Sequence, residues 1–348
     1  MNAPRLSITT IATDNPMGAQ AYQRQIIDRA SSALDAGWSA REVVVRSMRS
    51  SLPGNRRLPL GRLAQAPASV RRAAGRMLFA GDTVTHRMAL ELPPGPRDVV
   101  TLHDVVAWRF PDESAPVRAA ATELQRAAAV ICVSEFSAQE AVDLLGIKHP
   151  IVVHNGVDPR YFDALPLEQT TRRELGLDGA YVLHAGGAAQ RKNLDALASA
   201  WPVVHRERPG LILALAGPTH PRRTALFDGM PGVRLLGRLS DELMPSLVAG
   251  AAAVVVPSLY EGFGLPVLEA MAANVPAVVA NTSSLPEVAA GHAILVEPDA
   301  QSIAGGLIDV TADDPDLADV IHRARAHAAR FTWERSAEGH ARVWSSLV

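Results

Sequence analysis

The sequence predicts an α/β protein with two domains, each built on a parallel sheet that is covered by helices. The chain has 348 residues, which is long for one domain and comfortable for two. Short β-branched runs alternate along it with longer amphipathic segments, the order that builds parallel sheets. Apolar residues make up 48% and aromatic residues only 5%, a balance that suits helices packed on such sheets and excludes a disordered or collagen-like chain.

The first domain is predicted to open with a strand at 5–12, followed by a turn at Gly18 and a helix from Ala19 to about Ala36. Ser134 has the form of a helix N-cap. The other strands of this domain are predicted at 42–45, 82–85, 98–105, 129–133 and 151–153, and further helices at 63–78 and 117–128. Gly18 lies at a strand-to-helix turn, where doubly wound domains hold ligands, although an ordinary tight turn fits equally well.

His103 stands at the carboxyl end of the predicted strand 98–105. In doubly wound domains such a side chain points into the ligand crevice, and imidazole can hydrogen-bond a sugar hydroxyl or stabilise charge. The alternative is a structural histidine. The single cysteine, Cys132, lies in a predicted buried strand, so we interpret it as a core residue and expect no disulfide framework.

The second domain carries a loop that could grip a diphosphate. Strands are predicted at 180–185, 211–216 and 233–239, with a helix at 168–175. Gly186 and Gly187 follow the first of these strands, and Arg191 and Lys192 precede the next helix, an arrangement that favours anion binding. Lys192 is one of only two lysines in the chain, which hints that a compact, flexible charge is needed there.

The most informative stretch is 254–271. An apolar strand ends at Pro257, a glycine-bearing loop follows, and Pro266 is placed to open a helix, whose free N–H groups favour an anion. Glu261 and Glu269 flank the glycines, and carboxylates accept hydrogen bonds from sugar or ribose hydroxyls. The plainer interpretation is a solvated loop residue and a helix-dipole effect of about 0.3–1 kcal/mol.

The segment from Glu261-Gly-Phe-Gly-Leu-Pro to Glu269-Ala-Met closely resembles the signature of the family 4 glycosyltransferases, which are retaining enzymes. Weaker similarities reach both ends of the chain. They include His103-Asp104 with Phe110-Pro111, Asn155 to Asp158, Gly186 to Asn193, and Ala277 to Val288. Together, the stretches 103–111, 191–193 and 281–287 look most like the mannosyltransferase-rich branch of the family. The resemblance implies two Rossmann-like domains facing each other across a cleft, the GT-B fold. We divide the chain into an acceptor domain at 1–165, a donor domain at 166–330, and a terminal helix at 331–348 that crosses back to the first domain.

The resemblance also implies what the site residues do. A hexose, most simply mannose from GDP-mannose, would pass to a hydroxyl of a glycan or glycolipid, with the departing phosphate assisting deprotonation on the same face. Glu261 would hold the donor sugar and Glu269 the ribose. The implied catalytic residues are His103, Glu261, Arg191 and Lys192. The implied donor-binding residues are Gly18, Gly186, Gly187, Arg191, Lys192, Gly237, Glu261, Gly262, Phe263, Gly264, Leu265 and Glu269. Two departures are Gly187, where some members have arginine, and Ala19, where a second glycine is frequent.

Three other functions stay open at this point. The donor could be a UDP-sugar, because no side chain identified here distinguishes guanine from uracil. A sugar-nucleotide epimerase or a phosphorylase can share this architecture. A catalytically silent protein that binds nucleotide sugars is the third alternative, against which the intact Glu261, Glu269 and His103 argue.

We expect no metal or other cofactor. Asp314-Pro315-Asp316 spells the Asp-x-Asp pattern of metal-dependent glycosyltransferases, but it lies in an acidic inter-helix stretch where solvent exposure is favoured. Ser284 to Glu287 has the form of a capping box. No apolar run is long enough for a membrane span and no signal region is evident, so we expect a cytoplasmic protein.

A basic segment runs from Arg41 to Arg76, with Glu42 as its one acidic residue. It could bind an anionic surface at the inner face of the membrane or a phosphate-bearing acceptor, or it could be an ordinary solvated face. Nothing in it suggests nucleic acid binding. Its cationic residues are Arg41, Arg46, Arg49, Arg56, Arg57, Arg62, Arg71, Arg72 and Arg76.

Overall fold

A computed structural model describes residues 3–14, 18–110, 113–312 and 317–348. The chain divides into two compact units. The first unit is Met1–Gly156 together with Trp333–Val348, and the second is Val157–Thr332. Each unit is an α/β structure on one sheet, and the strand pairings described in both sheets are parallel.

The sheet of the first unit consists of β1 Arg5–Ile11, β2 Ser39–Ser47, β3 Arg56–Leu58, β4 Val84–Arg87, β5 Asp98–Leu102, β6 Ala129–Cys132 and β7 Ile151–Val152. Its strand order is β3-β2-β1-β4-β5-β6-β7. The order reverses between β1 and β4, and in doubly wound sheets the ligand crevice opens at such a point, beyond the carboxyl ends of the strands. The six strands predicted in this half are confirmed, with β4 starting two residues later and β5 ending three residues earlier than expected, whereas β3 was not predicted.

The helices of the first unit are α1 Gly18–Ala33, α2 Leu60–Gln65, α3 Ala68–Leu78, α4 Val106–Arg109, α5 Ala120–Leu124, α6 Glu135–Leu145 and, numbered in chain order, α15 Trp333–Ser345. Ser134 caps α6 as predicted, accepting from the Ser137 N–H at 3.0 Å. The single helix predicted at 63–78 is wrong. Two helices stand there, because Pro67 lacks an N–H and sits at the N-cap of α3. The helix predicted at 117–128 is present but shorter, since α5 covers only Ala120–Leu124.

The terminal helix packs on the first unit, as predicted. Its buried face carries Trp333 and Trp344, which join the core cluster of α1 and the sheet. The Tyr22 hydroxyl of α1 bonds His340 Nε2 of α15 at 2.6 Å. At the rim, Arg29 Nε donates to a Glu334 carboxylate oxygen at 2.8 Å. The amphipathic pattern of α15 therefore finds its apolar partner in the first unit.

The sheet of the second unit consists of β8 Tyr181–Ala185, β9 Ile212–Ala216, β10 Val233–Gly237, β11 Ala253–Val256, β12 Ala277–Ala280 and β13 Ile294–Val296, in the order β10-β9-β8-β11-β12-β13. Its helices are α7 Gln169–Glu174, α8 Leu194–Glu207, α9 Pro221–Phe227, α10 Met244–Ala249, α11 Leu265–Ala272, α12 Leu285–Ala289, α13 Ala300–Val310 and α14 Leu317–Ala328. The order reverses between β8 and β11, so the loops after these two strands meet at the switch point.

Residues 157–165 lie with the second unit, although the division made from sequence assigns them to the first domain. A 3-10 turn at Pro159–Tyr161 packs against α10 and α11. Asp158 caps this turn by accepting from the Arg160 N–H at 2.9 Å. These contacts are what place the segment in the second unit.

The basic segment is not one solvated face. Arg71 is buried and pairs with Glu123 at 2.6 Å, and Arg87 pairs with Asp98 at 2.7 Å and Glu123 at 3.0 Å. Arg71 therefore belongs to an internal ion network rather than to a surface. Six arginines of the segment are exposed: Arg49, Arg56, Arg57, Arg62, Arg72 and Arg76. Within the described parts of the chain, no helix is long and apolar enough to cross a membrane.

Candidate active site

Two loops meet at the switch point of the second unit. The loop after β8, residues 186–193, carries the predicted phosphate grip, and the loop after β11, residues 257–264, carries the signature glycines. They are joined directly, because the Leu259 N–H donates to the Arg191 carbonyl at 2.7 Å. Residues about 70 positions apart in sequence thus form one polar cluster at the carboxyl ends of β8 and β11.

Glu261 is the centre of this cluster. Its Oε1 lies 2.6 Å from Lys192 Nζ, and its Oε2 lies 3.6 Å from Arg191 Nη1. The Ser258 hydroxyl also donates to Oε1, at 2.7 Å. Burial alone would raise the pKa of Glu261, but Lys192, Arg191 and Ser258 outweigh it and hold this pKa below its ordinary value. Glu261 is therefore an ionised acceptor with two cations beside it.

Three serines hold the signature loop in place, and sequence reasoning assigned none of them to the site. Besides Ser258, Ser283 accepts from the Glu261 N–H at 3.0 Å. The Ser284 hydroxyl donates to the carbonyls of Glu261 and Phe263, at 2.9 and 2.8 Å. The predicted capping box is thus wrong, because the Ser284 side chain makes no cap bond to α12. Its hydroxyl donates to the loop instead. The resemblance of residues 277–288 to the family was the feature of the sequence that could have assigned Ser283 and Ser284 to the site.

The start of α11 is shaped by Gly264. This residue has φ of +110°, and a Cβ there would approach Leu285 Cδ2 to 2.8 Å, so the turn requires glycine. The helix then runs Leu265–Ala272, with Pro266 in its first turn as predicted. Phe263 is buried and lies edge-on to Phe331 at 6.2 Å between ring centroids. Its side chain is therefore part of the packing, and only its backbone groups could contact a ligand. Gly262, which precedes it in the loop, is half-buried.

Glu269 lies one turn further along α11 and contacts Tyr161, a partner that sequence reasoning missed. Burial raises the pKa of Glu269 to about 7, opposed by the Tyr161 hydrogen bond and assisted by nearby Asp158. Burial and then Glu269 itself raise the pKa of Tyr161, so its hydroxyl stays a donor. At neutral pH Glu269 is thus divided between a form that only accepts hydrogen bonds and one that can donate.

The turns that follow β8, β9 and β10 are tied together by their backbones. The Gly186 N–H donates to the Ala216 carbonyl at 3.0 Å, and the Gly217 N–H donates to the Gly237 carbonyl at 2.9 Å. The predicted donor-binding glycines Gly186, Gly187 and Gly237 therefore lie on adjoining turns at the carboxyl ends of the strands. Gly187 faces open space, since a Cβ there would meet nothing within 4 Å.

In the first unit, His103 follows β5 and is positioned by Tyr22, whose ring meets it edge-on at 4.5 Å. Burial lowers the pKa of His103 to about 4, so the ring is neutral at pH 7. Its buried Nε2 has no hydrogen-bond partner among the described residues, so the hydrogen-bonding capacity of this atom is unmet. Gly18 is the first residue of α1, and a Cβ there would also meet open space.

Asp314, Asp316 and Pro111 lie outside the described residues. Over the part of the chain that the structure does describe, no three His, Cys, Asp or Glu side chains are grouped to hold a metal ion.

Two family models match the sequence. The model for Glycosyltransferase Family 4 matches residues 20–161, and the model for Glycosyl transferases group 1 matches residues 179–313. The chain is also 31% identical over 259 residues to the O-antigen chain mannosyltransferase B of Escherichia coli, covering 68% of this chain and 67% of that protein. The chain belongs to the family 4 glycosyltransferases. It is therefore a hexosyltransferase, as its signature predicted.

A second relative of this glycosyltransferase is the GDP-mannose-dependent alpha-(1-6)-phosphatidylinositol dimannoside mannosyltransferase of Mycobacterium tuberculosis. The two are 29% identical over 217 residues, which are 60% of the glycosyltransferase and 55% of the relative. Among solved structures, sucrose-phosphate synthase of Thermosynechococcus elongatus matches with a TM-score of 0.74 at 19% identity, covering 99% of both chains. This likeness confirms the GT-B fold with two Rossmann-like domains.

Proposed function

We propose that this glycosyltransferase moves mannose from GDP-mannose, with retention of anomeric configuration, to a hydroxyl of a glycan or glycolipid acceptor. The observation that carries the proposal is the cluster of Lys192, Glu261 and Arg191 at the switch point of the second unit. It combines cations for a diphosphate with an ionised acceptor for sugar hydroxyls on one pair of loops.

Breaking the anomeric bond requires stabilisation of the departing diphosphate. Arg191, Lys192 and the start of α11 place positive potential where that charge develops, in a setting that is largely shielded from solvent. Glu261 stays ionised beside them and accepts hydrogen bonds from the donor sugar, and Glu269 accepts from the ribose. His103 is neutral, and its Nε2 has an unmet hydrogen-bonding capacity that a sugar hydroxyl could fill.

The donor assignment rests on the mannosyltransferase relatives, because no side chain identified here distinguishes guanine from uracil. We expect GDP and GDP-mannose to raise the melting temperature more than UDP and UDP-glucose do. Ligand that binds only the native state stabilises it by about 2.7 kcal/mol at 100 times its dissociation constant, which a thermal-shift assay resolves readily. A shift with the uridine ligands alone would replace mannose by a UDP-sugar, and no shift with either pair would contradict the proposed function.

We propose that transfer needs no metal ion, because Arg191 and Lys192 supply the positive charge. Activity is expected to be unchanged after incubation with EDTA and dialysis. Release of nucleoside diphosphate in the presence of acceptor is the measurement. Lost activity that returns with magnesium or manganese would contradict this and direct attention to Asp314 and Asp316.

We also propose that the acceptor side of the enzyme contacts an anionic lipid surface through α3. Arg72 and Arg76 lie one turn apart on its exposed face, beside Val70 and Met77, whose exposed fractions are 51% and 83%. Cations next to exposed apolar side chains are the pattern by which surface helices bind anionic membranes.

The double variant Arg72→Glu, Arg76→Glu is expected to lose most of its co-sedimentation with phosphatidylglycerol vesicles at low salt, because each cation near the surface contributes about 1 kcal/mol. The matched control is Arg206→Glu, Arg323→Glu, which reverses two exposed helical arginines of the second unit. Equal vesicle binding by both variants, or wild-type binding to purely zwitterionic vesicles, would contradict the lipid contact.

A further inference from the structure

Arg223, the third residue of α9, is buried in an unusual way. It is 3% exposed, and its guanidinium donates only to two backbone carbonyls, those of Pro218 at 3.2 Å and Gly186. Its Nε has no partner among the described residues. The other arginines described as buried, Arg71 and Arg87, each form ion pairs with carboxylates. Arg223 is thus the one buried arginine of the described chain without a counter-ion.

A buried charge without a counter-ion is costly, and proteins keep one mainly where it meets a charge from elsewhere. Two carbonyl dipoles satisfy part of the hydrogen bonding of Arg223 but carry no net negative charge. Burial lowers the pKa of Arg223, in keeping with the absence of a carboxylate partner among its described contacts. Its neighbour His184 adds no like charge, because burial lowers the pKa of that ring to about 4.

The bond to Gly186 has a stereochemical consequence at the next residue. In a trans peptide the C=O and the following N–H point in opposite directions, and no cis peptide occurs among the described residues. Because Arg223 holds the Gly186 carbonyl, the Gly187 N–H is directed away from Arg223. That N–H makes no hydrogen bond within the described chain, and Gly187 faces open space.

The neighbouring turn is built to allow this contact. Gly217 has φ of +142°, and a Cβ there would come within 2.0 Å of the Gly186 oxygen and 2.9 Å of Arg223 Nη1. Only glycine leaves room for the carbonyl and the guanidinium together. Gly186, Gly217 and Arg223 are therefore packed together at the start of the loop that carries Arg191 and Lys192.

We propose that Arg223 is a positioning residue of the donor diphosphate site. It orients the Gly186–Gly187 peptide so that the Gly187 N–H donates to a diphosphate oxygen, and its buried positive charge is balanced by that anion. The inference rests on the proposed function, since it assumes a nucleoside diphosphate as the ligand of this loop.

The test compares nucleosides with nucleoside diphosphates. Dissociation constants are measured for GDP and guanosine, and for UDP and uridine, with the wild type, Arg223→Met and Arg223→Lys. Arg223→Met is expected to weaken diphosphate binding about 10- to 100-fold, because it removes the charge-assisted hydrogen bond that orients the Gly186–Gly187 peptide and the positive charge behind the bound anion. Nucleoside binding should change less than about twofold, and Arg223→Lys should restore part of the loss.

The matched control is Arg172→Met. Arg172 also donates to two carbonyls in the second unit, those of Leu177 at 3.1 Å and Gly179 at 2.8 Å, near the opposite end of β8. This variant should lower stability without changing the ratio of diphosphate to nucleoside affinity. A purely structural role for Arg223 would weaken both ligands in parallel and would overturn the proposal.

A second measurement titrates ligand into the wild type, so it does not depend on whether Arg223→Met folds. In spectra of protein labelled with ¹⁵N-glycine, the Gly187 amide, assigned through Gly187→Ala, is expected to move downfield when diphosphate binds and to stay in place with the nucleoside. A Gly187 signal unaffected by a diphosphate that binds would overturn this inference alone. Failure of the wild type to bind either diphosphate would remove the proposed function and the inference together.

Discussion

Replacing Lys192 by alanine is expected to lower kcat/KM about 100- to 1,000-fold, the usual effect of removing one preorganised donor to a developing negative charge. The side chain ends at the switch-point cluster, 2.6 Å from Glu261, and not in a hydrophobic core. Its loss should therefore act on the transition state far more than on folding. Release of nucleoside diphosphate with the preferred donor measures the first effect, and thermal unfolding the second.

The stability of Lys192→Ala should fall far less than its activity, by about 1–2 kcal/mol, because the lost ion pair is one of several contacts that hold Glu261. Glu261 keeps Arg191 at 3.6 Å and the Ser258 hydroxyl at 2.7 Å. Lys148→Ala is the matched control, since Lys148 is the other lysine of the chain and is exposed. Wild-type turnover in Lys192→Ala, or a loss of turnover that only follows unfolding, would contradict the phosphate role.

Acidification from pH 7.5 to 5 is expected to destabilise the first unit by about 4 kcal/mol or more. Burial lowers the pKa of His103 and of His340 from 6.5 to about 4. A pKa that is lower in the folded state means stability that is complete above pH 6.5 and is lost as pH falls toward 4. Linkage then gives about 2 kcal/mol for each of the two histidines at pH 5.

A third histidine adds to the loss. Burial lowers the pKa of His86 well below its ordinary value, assisted by His340 and His103. His86 accepts from the Trp344 indole at 3.2 Å and bonds Thr101 at 2.8 Å, so it cannot be protonated without disturbing that network. The second unit should respond less, because protonation of Glu269 below pH 7 offsets the cost at His184.

The measurement is denaturant unfolding at pH 7.5 and 5, followed by tryptophan fluorescence, which reports on Trp344 beside His86. His340→Gln removes one titrating ring and should reduce the pH dependence by about 2 kcal/mol. His322→Gln, an exposed helical position, should leave it unchanged. Equal unfolding free energies at the two pH values would show that these rings do not titrate as their burial implies.

Much of the secondary structure was predictable because it follows from local patterns. The buried parallel strands have short β-branched sequences, so β5, β6, β9 and β11 stand where they were expected, within three residues at their ends. Pro266 and the glycines of the signature likewise specify a strand–loop–helix locally. The break at Pro67 shows the limit, since an amphipathic period continues across a proline that the helix cannot accommodate.

The sequence by itself determined the family, the two parallel sheets and the residue types of the donor loops, because these depend on periodicity and on short contiguous motifs. Only the tertiary structure decided their partners. Glu261 meets Lys192 because β8 and β11 are neighbours at the switch point, Ser284 serves the signature loop rather than α12, and Arg223 lies beneath Gly186 without a counter-ion. Contacts between residues 20 to 70 positions apart depend on strand order and packing, and no local pattern records them.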